Sequence, residues 1–147
     1  MEDRYLFKAK RIDNGEWVQG ALFNGESHCI IGQEIKFSPY TEHECKIVGY
    51  EVDRDTICQC TGLKDKNGKL IWENDIVKKE FYTDYDNCAN SEEYVGVVKY
   101  TDCAWVIETI RDKCTRPILE AMSYSEDVKH FEVIGNIFDN PELLEVG

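Results

Sequence analysis

"CQCTGLKDKNGKLIWENDIV", residues 58–77, is the stretch whose reading decides the fold. Asn67-Gly68 stands between two extended runs. Asn-Gly is the strongest short hairpin signal, because both residues tolerate positive φ. Further on, Asp75 precedes Ile76 and Val77. An aspartate there is expected to accept backbone N–H bonds at a turn that delivers the chain into a strand. Period-2 alternation puts Cys58 and Cys60 on one face. No nucleophile stands beside a base. The stretch reads as scaffold, a hairpin followed by a strand.

The same device recurs upstream. Asn14-Gly15 separates two strand-like runs, so residues 5–12 and 16–23 are expected to pair. Tyr5, Phe7 and Ala9 share one face of the first run, with Arg4 and Lys8 opposite. Two related hairpins point to two halves, 1–57 and 58–147, within a single domain spanning 1–147. Val48, Tyr50 and Val52 line one face of another run, and Asp53-Arg54-Asp55 ends it. Strands are also expected at 94–100, 104–110 and 131–138, with Thr101 to Cys103 as a hairpin link. Gly96 and Gly135 mark bends. Short bent strands of this kind predict a mainly β fold with a small barrel. Residues 83–93, "TDYDNCANSEE", read as a polar loop. Residues 119–131 have room for one or two helical turns, and Asn140-Pro141 opens another.

Composition bounds the partners. The chain has 147 residues, 42% of them hydrophobic, which is enough for a core. Its formal charge is −12. A nucleic-acid binder needs cations to displace phosphate counterions, so direct nucleic-acid binding is not expected. Residues 7–11, "FKAKR", are the best basic candidate, and they read better as an edge strand guarded by lysines. No apolar run nears the ~20 residues of a membrane helix, and the N-terminus lacks a signal-type apolar core. A cytoplasmic location with mostly reduced thiols is expected for the seven cysteines.

The search for chemistry yields weak candidates. Cys58, Cys60, His43 and Cys45 are zinc-type ligands without the loop spacing of a structural site. Asp84, Asp86, Glu92 and Glu93 lack the glycine and the helices of a calcium loop. Catalytic motifs of the phosphate-binding, dinucleotide and serine-elbow types are missing. No cofactor and no catalytic residue is expected. Trp72 and Trp105 read as core. Tyr82 and Tyr85, bordering the polar loop, are the candidate partner-binding residues.

The quoted stretch resembles the signature of the YopX family. Thr61, Gly62, Leu63, Asp65, Asn67, Gly68, Ile71, Trp72, Glu73, Asp75, Ile76 and Val77 carry the resemblance. The tail "FEVIGNIFDNPELL" is similar through Gly135, Asn136, Asn140 and Pro141, and the opening through Phe7, Arg11, Asn14, Gly15 and Trp17. Asn74 stands where the family usually has Gly; asparagine also tolerates the left-handed conformation. The resemblance implies a phage or prophage protein of a bacterial host, a mainly β fold with duplicated, intertwined and barrel-like halves, and no assigned catalytic residues. Thr61, Gly62, Leu63, Asn67, Gly68, Asp75, Ile76, Gly135 and Asn136 are its structural signature.

The expected function is a non-enzymatic β scaffold that binds a host or phage protein, or a second copy of itself. One alternative is an acidic decoy for a nucleic-acid-binding protein. Another is a zinc protein or an enzyme.

Overall fold

The computed structural model describes residues 3–36, 40, 45–85, 88–110, 115–117 and 131–145. Among the described residues eleven strands follow one another: β1 Phe7–Lys10, β2 Trp17–Asn24, β3 Cys29–Lys36, β4 Cys45–Glu51, β5 Cys58–Lys64, β6 Leu70–Trp72, β7 Asp75–Tyr85, β8 Cys88–Thr101, β9 Ala104–Thr109, β10 Thr115–Pro117 and β11 Phe131–Asn136. Three short 3-10 turns, Asp3–Tyr5, Arg54–Thr56 and Pro141–Leu144, are the described helical structure. The chain forms two compact units, Met1–Cys60 and Thr61–Gly147. Strand β5 straddles that boundary.

In the first unit β4, β3, β2, β1 and the start of β5 lie side by side. The expected hairpin forms, with Phe7 opposite Gly20 and Lys10 opposite Trp17. Ala9, Val18, Cys29, Ile31 and Val52 make its core, with Phe7, Leu22, Tyr50 and Ile57 packed against them. Two expectations fail here. Tyr5 lies in the 3-10 turn and is 55% exposed. Strand β1 is not an edge strand, because β2 and β5 flank it. Sequence alternation shows a strand's faces but not its neighbours.

The second unit holds a five-stranded antiparallel sheet, in the order β10-β9-β8-β7-β11. Ile71, Val77, Val98, Ile107 and Phe131 are its core. Gly96 lets Ile107 in: a Cβ there would stand 2.4 Å from its Cγ2. Residues 83–85 and 88–93, expected as loop, are instead paired strand, with Asp84 opposite Ala89. Polar side chains on both arms hid the pairing, since period-2 reading needs an apolar face.

No closed barrel occurs among the described residues. Closure needs the outer strands of a sheet to pair, yet β10 and β11 end on opposite edges. The outer side of β11 is capped instead. The Lys66 amide donates to the Phe131 carbonyl at 2.8 Å, and the Val133 amide donates to Asp65 Oδ2 at 3.0 Å. Gly135 does mark an irregularity, a register shift between Val133 and Gly135.

The two Asn-Gly turns differ from expectation and from each other. In both, only the glycine takes positive φ, Gly15 at 71° and Gly68 at 76°. The second is a three-residue loop. The Gly68 amide reaches the Asp65 carbonyl at 3.0 Å, and the Asp65 amide reaches that of Lys69 at 2.8 Å. This is a type I turn closed by a left-handed glycine. The first is a residue longer: Arg11 N–H donates to Glu16 C=O, and Gly15 N–H to Arg11 C=O, both at 2.9 Å. The two-residue turn with both φ positive falls at Asp102 (51°) and Cys103 (62°), in the link expected between β8 and β9.

Asp65 is 5% exposed. Its Oδ1 accepts from the amides of Asn67 and Lys69, both at 2.9 Å, and its Oδ2 from Val133. Burial pushes this carboxyl up, but the three amides and the Lys69 charge together hold it below the usual range. A group with a depressed folded pKa stabilises above its unfolded value of about 3.9, and loses that contribution as pH falls through the folded value.

Asp65→Asn is therefore expected to cost about 3 kcal/mol at neutral pH, since a charged acceptor of buried amides is lost. The gap from wild type should narrow as urea denaturation is repeated below about pH 4. Cys103→Gly relieves a left-handed side chain in an exposed turn. Thermal melting should show a gain of about 0.5–1 kcal/mol.

Candidate functional site

The signature residues form turns and strand junctions. Thr61 Oγ1 donates to the Ile71 carbonyl at 2.7 Å and accepts from the Leu63 amide at 3.1 Å. Gly62 between them has φ 80°. Asn67 and Gly68 supply the turn around Asp65. Asp75 Oδ2 accepts from the Trp72 amide at 2.8 Å, as expected, and Ile76 is fully buried. Asn74 has φ 67°, so it does take the conformation for which a glycine is usual. Its amide donates to the Val98 carbonyl at 2.8 Å, and its carbonyl accepts from Ile137 at 3.1 Å.

Asn136 Oδ1 accepts from the amides of Phe138 (3.0 Å) and Asp139 (2.9 Å), which folds the chain after β11. Asn140, expected to cap the last helical turn, makes no such bond. Its Oδ1 accepts from the Asn136 amide at 3.3 Å instead. Gly135 permits this, since a Cβ there would stand 2.5 Å from that oxygen.

The metal-type candidates among the described residues do not converge. Cys58 and Cys60 are buried in β5, whereas Cys45 is exposed on β4; His43 lies outside the described residues. The Glu34 carboxylate beside Cys45 accepts its S–H and pushes that thiol up. This is opposite to what a nucleophile needs. Among the described residues no three His, Cys, Asp or Glu side chains gather as ligands. Tyr82 and Tyr85 stand on β7, opposite Ser91 and Cys88. Trp72 is 5% exposed, and Trp105 packs on the core with its ring centroid 5.0 Å from that of Tyr100. Of the calcium-type residues, Asp86 lies outside the described residues, while Asp84, Glu92 and Glu93 stand on strands.

The first unit carries a groove of about 400 Å³ lined in part by Lys10, Arg11, Glu51, Asp53 and Arg54. Its charges have partners. Arg11 Nε donates to Asp13 at 2.9 Å, which raises the arginine's pKa and lowers the aspartate's. Arg54 donates to the Gly25 carbonyl at 2.6 Å, and His28 meets Glu51 at 3.1 Å. The basic run keeps its cations over aromatic rings. Lys8 and Lys10 lie 4.8 and 5.5 Å from the centre of Trp17, and Arg11 lies 4.5 Å from Tyr50.

A surface that sequence reasoning missed lies on the side of this sheet away from its core. Leu22, Ile31 and Tyr50 oppose one another in register and face the core. The next residues along each strand therefore face outward. Phe23 is opposite Ile30, Ala21 is opposite Gly32, which on its other side is opposite Gly49, and Ile47 is opposite Glu34. Phe23 is 64% and Ile47 80% exposed. Ile30 Cγ2 would lie 2.9 Å from a Cβ at Gly49, and Ile47 Cγ2 4.0 Å from one at Gly32. The isoleucines thus lean over a glycine floor and form a flat apolar strip with Phe23. The strip appears only once β2, β3 and β4 are in register.

The helices of the described residues are too short and polar to cross a membrane. Among curated proteins none matches the chain. Its structure is similar to that described as "Crystal structure of protein EF1440 from Enterococcus faecalis". The two are 29% identical, with a TM-score of 0.53, over 95% of this chain and 96% of that one. The YopX protein family matches residues 6–145, nearly the whole length. With its signature residues building the turns described above, the chain belongs to the YopX family.

Proposed function

We propose that this chain is a non-enzymatic protein-binding β module of phage or prophage origin, working in the bacterial cytoplasm. Its binding surface is the outward side of the first unit's sheet. The observation that carries this reading is the apolar strip of Phe23, Ile30 and Ile47, two of whose side chains are largely exposed. Water-exposed apolar groups gathered on one flat face are the usual mark of a protein contact.

The net charge of −12 favours a second reading in which the partner is basic, and the protein acts as an acidic decoy for a nucleic-acid-binding protein. The two readings differ in their response to salt, which screens charge contacts and strengthens apolar ones.

Affinity capture from a bacterial lysate tests both. Phe23→Ser should abolish capture while changing stability by no more than about 0.5 kcal/mol, as for other exposed sites. Capture by Phe23→Ser equal to wild type would remove the strip as the surface. Captured protein that is released by salt and identified as basic would favour the decoy.

A further inference from the structure

The register of β3 and β4 places three residue pairs in one block. Ile30 is opposite Glu51, Gly32 opposite Gly49, and Glu34 opposite Ile47. Opposed residues of a ladder point to the same face. Here that face is the outward one, since Ile31 and Tyr50, the next residues along, point to the core. The block is a rectangle about 13 Å long and about 5 Å wide. Ile30 and Ile47 hold one pair of opposite corners, and Glu34 and Glu51 hold the other. The centre is bare glycine, with the two isoleucines leaning in as apolar walls.

Both acids are open to water. The Glu51 side chain is 53% exposed, and Glu34 is exposed on β3. Glu51 meets His28 at 3.1 Å, and Glu34 accepts the Cys45 thiol. A thiol and a neutral imidazole leave a carboxylate's charge in place. Lys36, opposite Cys45, stands one row further out.

We propose that this block seats a basic amphipathic helix of a partner protein, with an apolar side chain over the glycine centre and a cation at each acid. This deepens the protein-binding reading and rests on it, because Ile30 and Ile47 belong to the same outward strip. The two acids are about 14 Å apart along the diagonal. Cations seven residues apart on a helix are about 10 Å apart, and the long arms of Lys or Arg span the difference. An apolar residue three or four positions after the first cation then falls between them, over Gly32 and Gly49, with Ile30 to one side and Ile47 to the other. An extended chain would lay its amides on a face that offers no backbone partners, whereas a helix satisfies its own. Charge selects the sign: the two corner acids, in a chain of net charge −12, attract a basic helix and repel an acidic one of the same shape.

Fluorescence anisotropy tests the seat with two labelled, alanine-rich helical peptides. One carries lysines seven residues apart, with leucines three and four positions after the first; the other has glutamates in place of the lysines. At about pH 8, where an imidazole is ordinarily neutral, the lysine peptide should bind at least about tenfold more tightly. Glu34→Gln with Glu51→Gln should weaken it about fivefold, and Ile47→Ser at least about tenfold. Glu108→Gln with Glu142→Gln removes the same charge from exposed sites of the second unit, and should leave binding within about twofold. Circular dichroism and melting temperature check that each variant keeps the fold. Equal binding of the two peptides, binding of neither, or equal losses in the two double variants overturns the seat. If lysate capture still depends on Phe23 in that case, the binding reading stands and only the helix falls. Capture indifferent to Phe23, beside a lysine peptide lost from the Glu34 and Glu51 variant, removes Phe23 from the surface and keeps the seat.

Discussion

The second unit depends on one buried carboxylate. Asp65 accepts amides from its own turn and from β11, a strand far along the chain. A carboxylate taken out of water needs such donors, and amides on an outer strand need such an acceptor. Each condition satisfies the other. The turn is thereby tied to β11, and the outer edge of β11 is closed. This explains both why the sheet stays open rather than curling into a barrel and why Asp65, Asn67 and Gly68 occur together. Glycine is required for the left-handed backbone, and the aspartate holds the loop's amides in place.

The other signature residues extend the same principle. Thr61, Asp75 and Asn136 each use a side-chain oxygen to satisfy nearby backbone donors. Asn74 and Gly135 each allow a close or left-handed passage where two segments meet. These residues sit at bends, where ladder bonds stop and backbone groups need other partners. A family signature made of such residues describes a way of folding. The surface that meets other molecules is free to lie elsewhere, and the apolar strip of the first unit shares none of its residues.

Much of the backbone was legible. Hairpins at Asn14-Gly15 and Asn67-Gly68, the turn at Asp75, the link after Thr101 and the mainly β class all follow from local chemistry. The turn types did not, since a loop's length is set by which flanking residues pair, and that depends on both strands at once. The strand character of 83–85 and 88–93 was hidden because polar residues on a paired arm carry no period. The barrel expectation failed because closure is decided by which edges meet. A contact between residues 65 and 133 settled that for β11.

What the sequence by itself determined is therefore the position of bends and the alternation of faces. Both arise from the φ preferences of Gly and Asn and from the period of side chains along a strand. Only the tertiary structure decided strand order, the capping of β11, and the gathering of Phe23, Ile30 and Ile47 on one outward face. Those depend on register between strands that are distant or separated by unpatterned chain, and a shift of one residue would have turned the same side chains inward.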